Sequence, residues 1–191
     1  VAGAIDLYAP PIHWQQAGAA YRNLSARLHG CGFDTVFIVP WLKRGGADLG
    51  ILHHTRASHE VFGPKTLVIA TEPSDSPWAE RLPAGVEFLD AGKALSQLSA
   101  SHAEAEAVLA RLLIQLAPRR VHLSGSHLGW RTLVRHGLAL SKTTDIYASL
   151  YCDDRDIHGY REGLAVRYLS GAAPYIKAVI TDNSVSPVEW N

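Results

Sequence analysis

The run Val36-Phe37-Ile38-Val39-Pro40-Trp41-Leu42-Lys43-Arg44-Gly45-Gly46-Ala47-Asp48 constrains the fold more than any other part of the chain. Its apolar start has no polar alternation, which suits a strand covered on both faces, as in a parallel sheet. Pro40 ends that strand by withdrawing a backbone donor. Gly45 and Gly46 predict a turn with positive φ, where a ligand can approach main-chain atoms that a Cβ would shield. Asp48 falls in the first turn of a helix continuing through Ile51, Leu52 and Thr55, where a carboxylate favours the positive end of the macrodipole. Two readings are open for this turn: a tight strand-to-helix connection, or an anion site at a helix N-terminus.

From Thr35 onward, strands and helices alternate. The pattern predicts a helix over residues 47–60 and an apolar strand from Thr66 to Ala70, ending at Thr71-Glu72-Pro73. A polar loop with Ser74, Asp75, Ser76 and Pro77 precedes a short strand from Val86 to Leu89. Ser101 and Glu104 form a capping box, opening a helix whose Ala105, Val108, Leu109, Leu112 and Leu116 share one face until Pro118. Val121 to Gly125 is the next strand, followed by a helix from Leu128 to Ser141 with Leu133, Val134 and Leu138 inward. Ile146, Ala148 and Leu150 lie in a further strand. A helix from Tyr160 then buries Leu164, Ala165, Tyr168 and Leu169, and Ala178 to Thr181 is the last strand.

This alternation implies an α/β fold, a right-handed, doubly wound parallel sheet. The strand at 36–40 has no polar face to show to water, so it belongs at the centre, between the strands at 66–70 and 121–125. Ligands in such sheets sit outside the carboxyl ends of the strands, where the strand order reverses. Residues 1–33 are less constrained. Ile5 to Tyr8 suits a short strand broken by Pro10-Pro11, and Ala17, Tyr21, Leu24 and Leu28 recur at helical spacing. They fit a helix laid against the sheet, the tail of a preceding domain, or a first strand and helix. The preferred reading is a helical extension over residues 1–34.

At 191 residues the chain forms one domain with a core that needs no disulfides. Its 18 basic and 18 acidic side chains cancel, which gives no general attraction to nucleic acid or anionic membrane. Cys31 and Cys152 lie far apart with no metal-ligand spacing, which suits a reducing cytosol and argues against zinc. His53, His54 and His59 lack the arrangement that puts two ligands on one helix face. Neither a metal nor a cofactor is expected. No apolar run reaches the roughly 18 residues of a membrane span, and no signal segment opens the chain. A cytoplasmic location without a transmembrane segment is therefore expected. The chain begins with Val and has no Met, which suggests a piece excised from a longer polypeptide.

Three strand ends besides the Gly-Gly turn are rich in polar residues: Ser124 to Trp130, Asp153 to Tyr160, and Thr181 to Ser184. With the usual reversal of strand order, Gly45-Gly46 and Ser126-His127 face one crevice. Asp153, Asp154 and Asp156 have three readings: a solvated loop capping the next helix, a divalent-cation site without the Glu of an EF-hand loop, or an acceptor-binding or general-base cluster. His127 is either a structural hydrogen-bonding group or a holder of a sugar hydroxyl or developing charge.

Pro40-Trp41-Leu42 followed by Gly45-Gly46-Ala47-Asp48 resembles the first loop of retaining glycosyltransferases of the GT-B fold, particularly family four, with Asp where Glu is commoner. Ser124 to Trp130, the Asp-rich loop ending in Gly159-Tyr160, and Ile180 to Asn183 are similar to the corresponding strand ends of bacterial enzymes that build surface polysaccharides. The resemblance spans residues 35–185 and implies a Rossmann-like, acceptor-side half of such an enzyme, with residues 186–191 opening an interdomain linker. It implies Gly45 and Gly46 at the donor diphosphate, His127, Asp153 and Asp154 in catalysis, and Ser126, Trp130, Asp156, Tyr160, Asp182 and Asn183 at the acceptor. Glu80 and Glu87 have neither the spacing nor the location of the paired glutamates that hold the nucleotide sugar in this family. The partners implied are a C-terminal nucleotide-sugar-binding domain of the same polypeptide and a saccharide or lipid-linked acceptor, at or near the inner face of the membrane. The fragment alone is then expected to be inactive. Reaction with retention would let the leaving phosphate take the acceptor proton.

A dinucleotide oxidoreductase is disfavoured because no Gly-x-Gly-x-x-Gly follows a strand, and a nucleophilic hydrolase because Ser124-Gly125-Ser126-His127 is not a Gly-x-Ser-x-Gly elbow. A non-catalytic ligand-binding module on the same fold is the other reading.

Overall fold

The computed structural model describes residues 14–28, 32–63, 65–151 and 154–182. Ile5 to Tyr8, Cys31, Cys152, Asp153, Asn183 and the linker lie outside the described residues, as does the side chain of Asp154. The chain runs through α1 (Gln15–Arg27), β1 (Thr35–Val39), α2 (Gly46–Phe62), β2 (Thr66–Ala70), β3 (Glu87–Asp90), α3 (Ala91–Gln97), α4 (His102–Leu116), β4 (Arg120–Ser124), α5 (His127–Leu140) and β5 (Asp145–Ser149). A two-stranded hairpin follows, β6 (Asp154–Arg155) and β7 (Arg161–Glu162), then a helical stretch over residues 165–175 and β8 (Ala178–Ile180).

Six strands form one parallel sheet in the order β3-β2-β1-β4-β5-β8. β1 lies between β2 and β4 and is buried at all five positions, as its unbroken apolar run requires. The chain builds outward to β3 on one side and then returns to β4 on the other. The C-terminal ends of β1 and β4 therefore part at the switch point of a Rossmann-like, doubly wound fold.

Alternation along the strands divides the core into two layers. Val36, Ile38, Leu67, Ile69, Val121, Leu123, Ile146 and Ala148 meet α1, α3, α4 and α5 on one face. Phe37, Val39, Val68 and Ala70 meet Leu42, Ile51 of α2, and Trp78 and Leu82 on the other. Burying such a Leu, Ile or Phe fully is worth about 1.5–3 kcal/mol relative to leaving it exposed. The capping box is present: Ser101 Oγ accepts from Glu104 N–H, and the Glu104 carboxylate accepts from Ser101 N–H. Among the described residues, no helix is long and apolar enough to cross a membrane.

Several local expectations are corrected. α1 is laid against the sheet, one of the three arrangements its spacing allowed, with Ala17, Ala20, Leu24 and Leu28 in the main core. On α5, Leu133 is buried, but Val134 and Leu138 are 41% and 64% exposed. The inward stripe instead runs Trp130, Leu133, Gly137 and Leu140. A Cβ on Gly137 would lie 2.1 Å from the Tyr175 ring, so a glycine, invisible to a hydrophobic pattern, occupies a core position. No helix starts at Tyr160. Asp156 Oδ1 accepts from His158 and Tyr160 N–H, and Gly159 takes φ +83°, which folds this stretch into the turn of the hairpin. The short α3, capped by the Asp90 carboxylate accepting from Lys93 N–H, was not anticipated.

Candidate functional site

The switch-point crevice is lined by Val39, Pro40 and Trp41 after β1, by Ala47, Asp48 and Ile51 of α2, and by Ser124 and Gly125 after β4. The glycine pair behaves differently from expectation. Gly45 is the N-cap of α2 with φ −171°, an extended conformation open to any residue, and Gly46 is not among the positive-φ glycines. The turn is closed instead by Asp48, whose carboxylate accepts from Lys43 N–H at 3.0 Å. What the glycines contribute is space. A Cβ on Gly46 would meet nothing within 4 Å, and the first turn of α2 receives no side-chain cap. The left-handed turn belongs to Gly125 (φ +70°), where a Cβ would also press on Pro40 Cδ at 3.2 Å.

A buried hydrogen-bond relay fixes the crevice walls. Gly129 N–H donates to Ser126 Oγ at 2.8 Å, and Ser126 Oγ and Thr71 Oγ1 are 2.7 Å apart. Thr71 Oγ1 donates to Val39 O at 2.9 Å, so the Ser126 hydroxyl is the donor to Thr71. One chain of bonds thus joins the ends of β1 and β2 to the N-terminus of α5. Ser126, wholly buried, is consumed in this structural role and presents no surface to an acceptor. Trp130 is also wholly buried, stacked on Tyr168 with centroids 6.4 Å apart, so it packs the wall instead of touching a saccharide.

His127, the first residue of α5, is exposed and set edge-on against Tyr168 at 6.1 Å. Tyr168 lies in a π-helical turn, Ala165–Leu169, and was not anticipated as part of the site. The hairpin carrying Asp156 and Tyr160 follows the C-terminal end of β5, next to β4. Its turn is internally bonded, with Arg155 Nη1 donating to Gly159 O at 2.9 Å, and Ile157 and Tyr160 are 95% and 73% exposed at its tip. Asp156 spends one carboxylate oxygen on that turn, which makes it a scaffold for Tyr160. Asp182 is exposed just past β8.

Lys43 is a second unanticipated member. Its ammonium lies 4.3 Å from the Trp41 ring centroid and 2.5 Å from Ser74 Oγ, next to the uncapped start of α2. Nearby, a hydrogen bond from Lys93 holds the Asp75 carboxyl below the usual carboxylate range, with a smaller contribution from Lys43. Among the described residues, no three His, Cys, Asp or Glu side chains converge as a metal site.

Fold and site together define a Rossmann-like α/β domain with a small, mostly apolar crevice at its switch point. No protein-family model, curated protein or solved structure matched the chain in comparison.

Proposed function

We propose that this domain is the acceptor-binding half of a cytoplasmic glycosyltransferase that uses a nucleotide-sugar donor. The observation that carries this reading is the uncapped N-terminus of α2, where Gly46 is unobstructed and the next residues, Ala47 and Asp48, line the crevice that Ser124 and Gly125 close from the other side. Main-chain donors at a helix start favour an anion such as a diphosphate. Lys43 adds a positive charge there, held by Ser74 Oγ and the Trp41 ring. Exposed His127 and Tyr160 offer an imidazole and a ring face to a saccharide acceptor, and Asp154 opens the same hairpin with Asp153 before it in sequence. The partner is a C-terminal domain of the same polypeptide that holds most of the nucleotide sugar. The acceptor is a saccharide or a lipid-linked saccharide for surface polysaccharide synthesis, used at the inner face of the membrane.

Gly46→Val tests the donor side with little expected disturbance of the fold, because a Cβ at this position meets nothing within 4 Å. In the native polypeptide it is expected to raise the donor KM about tenfold or more, the cost of one lost charge-assisted contact. Thermal unfolding should stay close to wild type. An unchanged donor KM would remove the diphosphate from this turn, and saturable sugar binding without transfer would make the domain a non-catalytic module.

A further inference from the structure

A second concavity lies on the α2 face of the sheet and shares no lining residue with the crevice. Its floor is a row across three strands, Phe37, His122 and Tyr147, which sit opposite one another in the β1, β4 and β5 register. Phe37 and His122 have ring centroids 5.2 Å apart, and His54 of α2 meets His122 edge-on at 5.1 Å. The α2 wall adds Val61 and Phe62, which are 71% and 43% exposed. The cleft has a volume of about 230 Å³ and is open to solvent.

One charge in this cleft is left over. The Arg120 guanidinium lies 3.9 Å from the Phe62 ring centroid. No carboxylate forms an ion pair with it among the described residues. Asp145, its neighbour in register on β5, is taken by Lys177 at 2.7 Å. A stacked guanidinium keeps its planar edge of N–H donors free, and that fork matches a carboxylate. Ion pairing beside aromatic walls is also less screened than in open water. His122 is spent on Ser149 Oγ at 2.6 Å and adds ring surface to the floor.

We propose that this cleft binds a small planar aromatic carboxylate, its ring laid on the Phe37–His122–Tyr147 floor and its carboxylate paired with Arg120. The site is independent of the crevice, so it stands or falls separately from the glycosyl-transfer reading. The aromatic floor favours an aromatic ring over an aliphatic one, and the guanidinium favours an acid over an amide. Pockets of this mixed character, apolar with one placed charge, are the usual form of small-molecule sites.

Indole-3-carboxylate titrated into the protein by calorimetry, with the histidine C2 protons followed by NMR, tests this directly. Saturable binding is expected that shifts the His54 and His122 resonances. Indole-3-carboxamide should bind about tenfold more weakly, as should the acid to Arg120→Gln, the loss expected for one charged hydrogen-bonded pair; cyclohexanecarboxylate, which keeps that pair but has no aromatic face for the floor, should also bind more weakly. Arg120→Lys, which keeps the charge without the fork, should fall between. The proposal is overturned if no saturable binding occurs by about 1 mM, if acid and amide bind alike, or if a folded Arg120→Gln protein binds like wild type. Phenyl phosphate binding more tightly than the carboxylate would overturn the carboxylate assignment.

Discussion

Gly92→Ala is expected to destabilise the protein by about 3 kcal/mol or more, the upper end of the range for overpacked positions. A Cβ on Gly92 would lie 2.3 Å from the carbonyl carbon and oxygen of Glu72 and 2.6 Å from its nitrogen. These are backbone atoms at the end of β2, one residue past Thr71 of the buried relay, so no rotamer change relieves the overlap. Alanine's better helix propensity recovers only about 1 kcal/mol, and the clash wins. For a chain of this length the loss corresponds to a Tm lowered by roughly 6–12 °C. Calorimetric unfolding of the variant checks this, with Gly46→Ala as the comparison because its Cβ enters open space. A Gly92→Ala protein as stable as wild type would mean that α3 does not pack on the end of β2 in this way.

Acidification is expected to remove a comparable amount of stability through His122. Burial, with a smaller contribution from His54, lowers its pKa from 6.5 to about 4. The neutral ring is thus the form the fold holds, bonded to Ser149 Oγ and packed against Phe37. Above pH 6.5 both folded and unfolded states carry a neutral ring, and this contribution is fully present. As pH falls from 6.5 towards 4 the unfolded chain takes up a proton that the folded protein refuses, so stability declines until His122 protonates in place. The difference between those two pKa values corresponds to about 3 kcal/mol. Urea denaturation at pH 7 and at pH 4.5 or so should show the loss, and His122→Gln should flatten it while keeping a hydrogen-bonding group beside Ser149. Equal acid sensitivity in the variant would assign the titration to another group.

The sheet was legible in the sequence because unbroken apolar runs such as Val36–Val39 and Thr66–Ala70 have one economical place, inside a parallel sheet. The Ser101–Glu104 cap was legible because its pattern is local. Positions decided by tertiary packing were not. Gly137 lies in the core because Tyr175 fills the space a side chain would need, and Val134 and Leu138 face outward despite their chemistry. The reversal of strand order between β1 and β4 was legible, but the residues that line the crevice there were only partly so. Ser126 and Trp130 lie in a polar-looking strand end and are turned inward by the Thr71 relay and by Tyr168. Tyr168 itself comes to His127 across a π-helical turn, a register that a helical period does not predict. Gly46 keeps space open at the start of α2, while Gly45 leaves room for the Asp48 carboxylate, which would lie 3.0 Å from a Cβ there and which makes the turn by reaching Lys43 N–H.

The most direct test of glycosyl transfer at this crevice is the kcat/KM of the native polypeptide with His127 replaced by alanine. His127 is exposed, and its ring packs edge-on against Tyr168, so the fold and its Tm should change little. If the imidazole holds a sugar hydroxyl or faces charge developing at the anomeric carbon, its loss costs about 1.5–3 kcal/mol, a roughly ten- to two-hundred-fold fall in kcat/KM. Wild-type kinetics in a folded His127→Ala protein would contradict the account.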